Sequence, residues 1–174
     1  MHLVFLLEQV VNGLVLGGYY LLLALGLSLI FSVGGVVNLA HGAFYALGAY
    51  VSLEVSKRLG FGASVFISPL LVALLGTVFE RFLLRRFYSA DPILSLLVTF
   101  GLAMVVEQFI RMVWGAAPLA ASMPAALKGS VIAGDFLFSK YRLLLIAIVF
   151  VVMTAIWLLL HKTAFGRVVR PGVQ

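Results

Sequence analysis

Five apolar runs, each about as long as a bilayer is thick, constrain this chain more than anything else in it. A helix crosses a hydrocarbon core of ~30 Å with roughly 20 residues, rising about 1.5 Å with each. The runs extend from about Val10 to Val33, Val37 to Val55, Gly62 to Leu84, Ile93 to Trp114 and Tyr141 to Leu160. An open strand would leave its N–H and C=O groups unpaired in lipid, so each run is expected to be a helix. The expected fold is an all-α integral membrane protein: a single transmembrane domain over residues 1–174 with about five transmembrane helices. Composition agrees, since 64% of residues are apolar and 10% charged, where soluble domains run to roughly half and a quarter. The opening MHLVFLLEQVVNG lacks the basic stretch and small-residue cleavage site of a secretory signal, so the first run reads as mature structure.

In a soluble protein a net charge of +6 would raise nucleic acid as a partner. Here the Lys and Arg residues stand mainly between or at the ends of apolar runs, which fits anchoring at headgroups; membrane lipid, and no nucleic acid, is the expected partner. Charge alone does not orient the chain. Five spans place Arg81, Arg85, Arg86, Lys162, Arg167 and Arg170 on one side, and Lys57, Arg58, Lys128, Lys140 and Arg142 on the other, with Arg111 close to it. The Arg85-Arg86 pair and the basic C-terminal end favour a cytoplasmic C-terminus. The connection from Gly115 to Lys140 is rich in small residues, Pro and Gly and reads as one extramembrane loop. Only GGVV separates the first two runs, which calls for adjacent antiparallel helices or a partly re-entrant member.

Little in the chain can carry catalysis. Without Cys there is no disulfide framework, thiolate metal site or cysteine nucleophile. No GxxxxGK[ST] loop, HExxH or GxSxG occurs, so the chain is not expected to hydrolyse ATP or peptides by itself. The carboxylates in or beside the runs are Glu8, Glu54, Glu80, Glu107 and Asp91, and both Asp residues, Asp91 and Asp135, fall in connections. That arrangement denies an intramembrane aspartyl pair. The chain is therefore expected not to be an enzyme and to need no cofactor or metal.

The remaining polar residues have structural readings beside functional ones. Glu107 and Arg111 stand four apart on the fourth run, so they can pair on one helix face near the interface or line a polar path. Glu54 with Lys57 and Arg58 reads as an interfacial cluster, as do Glu80 and Arg81. Gly13 and Gly17 form GxxxG ahead of Gly18, and Gly48, Ser52 and Ser56 repeat at four-residue spacing. Small faces of this kind let backbones approach in lipid, so helix packing is their expected role. Asn38 is placed to be an N-cap, accepting from the amide of Ala40 or His41. His41 then lies in the first turn, without the neighbours a metal site needs, and Gly42 leaves room for another backbone.

The stretch GYYLLLALGLSLIFSVGGVVNLAHGAFYALGAYVS closely resembles the N-terminal signature of permease subunits of branched-chain amino acid ABC transporters, the LivH type. ERFLLRRF followed by ILSLLVTFGLAMVVEQFIRMVWG resembles that family's middle region, and TAFGRVVR its entry into the main cytoplasmic loop. The resemblance implies one of two permease subunits forming a substrate path across a bacterial inner membrane. Its implied partners are a second permease subunit, two cytoplasmic ATPase subunits and a periplasmic substrate-binding protein. It also implies a cytoplasmic C-terminus, and path-lining or gate-packing roles for Asn38, His41, Gly42 and, less directly, Glu107. Close relatives move urea or short amides, which leaves the substrate less defined than the family. Members of that family continue beyond the loop at which this chain stops, GRVVRPGVQ. The expectation is thus a truncated reading frame or fragment, and a non-transporting remnant or membrane scaffold stands as the alternative. A small channel or ion-driven carrier is a further alternative, for which no intramembrane charge relay speaks.

Overall fold

The computed structural model describes residues 2–87, 91–120, 124, 127–133 and 136–163. Five helices follow one another: α1 His2–Gly34, α2 His41–Leu59, α3 Phe61–Phe82, α4 Pro92–Trp114 and α5 Lys140–Lys162. A single 3-10 turn, Leu84–Phe87, carries Arg85 and Arg86 after α3. Arg167, Arg170, Asp135 and most of TAFGRVVR lie outside the described residues. The chain divides into two compact units, Gly34–Ala121 and the combination of Met1–Val33 with Ser122–Gln174, where the sequence reads as one domain.

In the unit from Gly34 to Ala121, local chemistry sets the helix ends. Gly60, at φ +86°, separates α2 from α3, and Gly115, at φ +88°, follows α4; both occupy the region that side chains with a Cβ avoid. Asp91 caps α4 through its side chain, which accepts from the Ile93 N–H at 2.9 Å, with Pro92 at the first helical position. The core consists of Ala40, Leu47, Leu102, Val106 and Ile110. Ser95, Thr99, Leu102, Val106 and Ile110 recur at helical spacing and give α4 its one buried face. α2 and α3 run antiparallel: Phe44 meets Phe79 with ring centroids 5.8 Å apart, and a Cβ added at Gly48 would lie 3.7 Å from Val72 Cγ2. Gly48, expected from its spacing to be a packing position, thus faces Val72 of α3 at ordinary van der Waals distance. Away from these seams large apolar side chains face outward, Met112 at 78% and Phe66 at 75% exposure. Such a surface requires hydrocarbon as its solvent.

In the other unit α1 and α5 run parallel. A Cβ at Gly18 would stand 2.9 Å from Val149 Cγ2, so only glycine lets α5 lie so near without displacing that valine. Nothing among the described residues comes within 4 Å of a Cβ at Gly13 or Gly17, and the expected seam on that face of α1 has no packing partner there.

Two differences from the sequence reading have physical causes. The connection between α4 and α5 holds an antiparallel hairpin, β1 Ser130–Ala133 with β2 Phe136–Ser139, paired Ser130 to Ser139 through Ala133 to Phe136. Its signal is the apolar SVIA and FLFS on either side of Gly-Asp, a composition suited to a two-residue hairpin connection. The second difference concerns α2, which begins and ends later than the second apolar run. Four described helical segments are long and apolar enough to cross a membrane: Phe5–Ser32, Phe61–Phe87, Pro92–Trp114 and Lys140–Lys162. α2 is not among them, for a reason that lies in its position beside α4.

Candidate functional site

The start of α2 sets polarity against depth. The first turn of any helix has N–H groups without intrahelical acceptors. Water can serve them at a surface, but in hydrocarbon each costs several kcal/mol when left unpaired. Here the chain itself serves the amides of Leu39, Ala40 and His41, on the approach to the helix and at its first residue. The Ala40 N–H donates to Asn38 Oδ1 at 3.0 Å, and the His41 N–H donates to the Asn38 carbonyl at 3.2 Å. The Leu39 N–H donates across to Thr99 Oγ1 on α4 at 3.2 Å. That hydroxyl in turn donates to the Leu96 carbonyl at 3.1 Å, so Thr99, at 0% exposure, is satisfied both as donor and as acceptor. Asn38 acts two residues ahead of the N-cap. Ala40 holds the N-cap position, and Asn38 forms a side-chain turn that bonds the amide two residues on.

A second bond between the same helices fixes the depth of this turn. Trp114 Nε1–H donates to Glu54 Oε1 at 3.3 Å. This bond and the one from Leu39 to Thr99 both join residues 60 apart in sequence, so α2 and α4 run parallel and in step. Tyr50 packs on Trp114 with ring centroids 5.2 Å apart, as that alignment requires. α4 starts at Pro92, which puts Thr99 about 10 Å along it at ~1.5 Å per residue. The turn before α2 therefore lies about 10 Å along α4 from its first residue, a distance equal to about one third of a ~30 Å hydrocarbon core. The opposite end of α2 carries Glu54, Lys57 and Arg58 level with or beyond Trp114. Less of α2 than of its neighbours has to be apolar, which accounts for its lower hydropathy.

The expected site residues separate on this frame. Asn38 and His41 lie in the turn whose Leu39 amide reaches the buried hydroxyl of Thr99. His41 is half-buried in the first turn, and no hydrogen bond to its ring occurs among the described residues. Gly42 is exposed, with nothing within 4 Å of a Cβ placed there, so the approaching backbone that glycine could admit is not found among the described residues. Ser52 is half-buried on the Gly48 face of α2. Glu107 does not join the cluster. It pairs with Arg111 Nη2 at 2.7 Å while 62% exposed, two turns farther along α4 and outside its buried face. Sequence reasoning missed Thr99 and Trp114. The signal for Thr99 is that Ser95 and Thr99, one turn apart, are the only hydroxyls of α4. Trp114 gives no such signal, because an aromatic at a span end is ordinary.

Comparison with known proteins places this sequence in a family. The family model described as "Branched-chain amino acid transport system / permease component" matches residues 9–171. The chain is 24% identical over 183 residues to the high-affinity branched-chain amino acid transport system permease protein BraD of Pseudomonas aeruginosa, covering 94% of this chain and 58% of that protein. It is 24% identical over 181 residues to the corresponding permease protein LivH of Salmonella typhimurium and 23% identical over 181 residues to LivH of Escherichia coli, in each case covering 95% of this chain and 58% of the relative. The chain thus spans 58% of the length of these relatives. No solved structure matches it. With nearly all of its length matched and its long helices apolar enough to cross a bilayer, this multi-pass membrane chain belongs to the family of branched-chain amino acid transport system permease components.

Proposed function

We propose that the chain is a permease subunit of an ABC importer for branched-chain or related amino acids and forms part of the substrate path across a bacterial inner membrane. The observation that carries this reading is the start of α2 level with the second turn of α4, behind a non-helical turn whose amides are held by Asn38 and Thr99; with α4 spanning the bilayer, that start lies inside it. Non-helical backbone at that depth is tolerated where it is buried in protein or lines a cavity, and interrupted helices are common where transporters bind and pass their cargo. Asn38, His41 and Gly42 are the path or gate residues on this reading, and Glu107 is an outer-face ion pair. Two cytoplasmic ATPase subunits supply the driving force, a second permease subunit completes the path, and a periplasmic binding protein delivers the substrate. The chain itself has no catalytic role.

Orientation follows by parity. α1 and α5 run parallel, so three crossings separate them, and α2, α3 and α4 supply these only if α2 counts as a crossing. This supports five spans with termini on opposite sides, and the basic Arg85-Arg86 turn favours a cytoplasmic C-terminus. The test is co-reconstitution of this chain with a second permease subunit, the ATPases and the binding protein in proteoliposomes. Leucine uptake coupled to ATP turnover is expected. Folded, assembled protein without uptake would reject transport and favour the scaffold alternative; urea uptake in place of leucine would reject the substrate.

A further inference from the structure

The unit containing α1, the hairpin and α5 carries an open cleft of about 520 Å³ toward the end where α1 and α5 both begin. That volume falls inside the roughly 300–1,000 Å³ range of small-molecule sites. Its walls carry charges of opposite sign from different elements, Glu8 on α1 and Arg142 on α5. Among the described residues neither charge is paired with another side chain within 4.0 Å, although Glu54 with Lys57 and Glu107 with Arg111 are. Two opposite charges that face one cleft without neutralising each other suit a ligand that carries both signs. Ser130 and Ser139, opposite one another in the hairpin register, add hydroxyls from above. Val15 and Leu145, each farther along its helix than the charge, provide apolar wall on the membrane side.

We propose that this cleft binds a zwitterionic α-amino acid with an apolar side chain: Arg142 takes the carboxylate, Glu8 the ammonium, and Val15 and Leu145 the side chain. A planar guanidinium matches a carboxylate with two parallel hydrogen bonds, and Glu8 accepts from the ammonium. On the five-span orientation this end of the unit is the periplasmic one, so the cleft is a receiving site at the entrance to the path. The inference rests on the permease reading for its substrate class. The same pairing of ammonium and anionic oxygens occurs in a phosphatidylethanolamine headgroup, and the experiment separates the two sources.

The full chain, in nanodiscs of phosphatidylcholine alone, is titrated with radiolabelled L-leucine, and Arg142→Gln, Arg142→Lys, Glu8→Gln and Glu8→Asp are compared with it. Saturable binding is expected, weakened roughly 10- to 100-fold by Arg142→Gln and Glu8→Gln, which remove a charge-assisted bond, and less by Arg142→Lys and Glu8→Asp. 4-Methylpentanoate and 3-methylbutylamine, each carrying one of the two charges, are expected to compete poorly. The conservative pair guards against misfolding, since both retain charge at their positions. No leucine binding, binding indifferent to all four substitutions, or occupancy by phosphatidylethanolamine with no competition from leucine would overturn the proposal. Coupled uptake in the complete assembly that is unaffected by Glu8→Gln and Arg142→Gln would reject this site and leave the permease reading standing. No uptake by the unaltered assembly, with leucine still bound by the chain, would reject the permease reading alone.

Discussion

The two ends of α2 solve different problems with polar residues. At its start Asn38 and Thr99 serve the backbone of a part-buried turn beside α4, which the proposed reading puts below the headgroups. At its far end Glu54, Lys57 and Trp114 serve one another where headgroups and water are close, and Glu54 and Lys57 pair at 2.9 Å with Lys57 half exposed. Equal-looking hydrogen bonds therefore differ in what their loss leaves behind. A broken bond at the start leaves a part-buried amide without a partner. A broken bond at the far end is replaced by water.

That contrast orders a series of substitutions. Thr99→Val keeps shape but leaves the Leu39 N–H without an acceptor, and should destabilise the chain by about 1–3 kcal/mol in SDS unfolding from mixed micelles, whereas Thr99→Ser, which keeps the hydroxyl, should retain most of the stability. Asn38→Ala should cost about 1 kcal/mol by the same titration, because the Ala40 amide loses its side-chain partner. Trp114→Phe preserves the ring against Tyr50 and removes only the bond to Glu54; thermal unfolding in detergent should register about 0.5–1.5 kcal/mol. Lys57→Gln and Glu107→Gln break exposed ion pairs and should each shift stability by no more than about 0.5 kcal/mol, less still in high salt. If Lys57→Gln cost as much as Thr99→Val, the assigned difference in depth between the two ends would be wrong.

The sequence makes the spans legible because hydrocarbon leaves so few options: apolar runs of sufficient length must be helices. Asn38 could be read as an amide acceptor, since the short side chain and its position before a helical stretch are a local signal. Its bond to Ala40 is local, but the bond from Leu39 to Thr99 joins residues 60 apart, which no local pattern announces. The depth of α2 was hidden for the same reason. It depends on how α2 lies along α4, and apolar length alone placed α2 too early in the chain. The hairpin gives only a weak signal around Gly-Asp, because two four-residue strands are too short for period-2 alternation to stand out in so apolar a chain. Gly48 and Gly18 both meet valines as small residues at helix seams do, whereas Gly13 and Gly17 share the spacing without the contact. Spacing proposes a seam; only a partner makes one.

The claim that α2 starts within the bilayer can be measured directly. The chain has no cysteine, so a single introduced cysteine takes a nitroxide at one known place. Leu39 and Phe100 are 45% and 53% exposed and can carry the label without entering the core, and Leu59, at 63%, marks the far end of α2. In power-saturation EPR with oxygen and a water-soluble nickel chelate, labels at 39 and 100 should report the same depth, about 10 Å below the headgroup end of α4, while the label at 59 reports the opposite interface. A label at 39 found at headgroup level, well above the one at 100, would contradict the account.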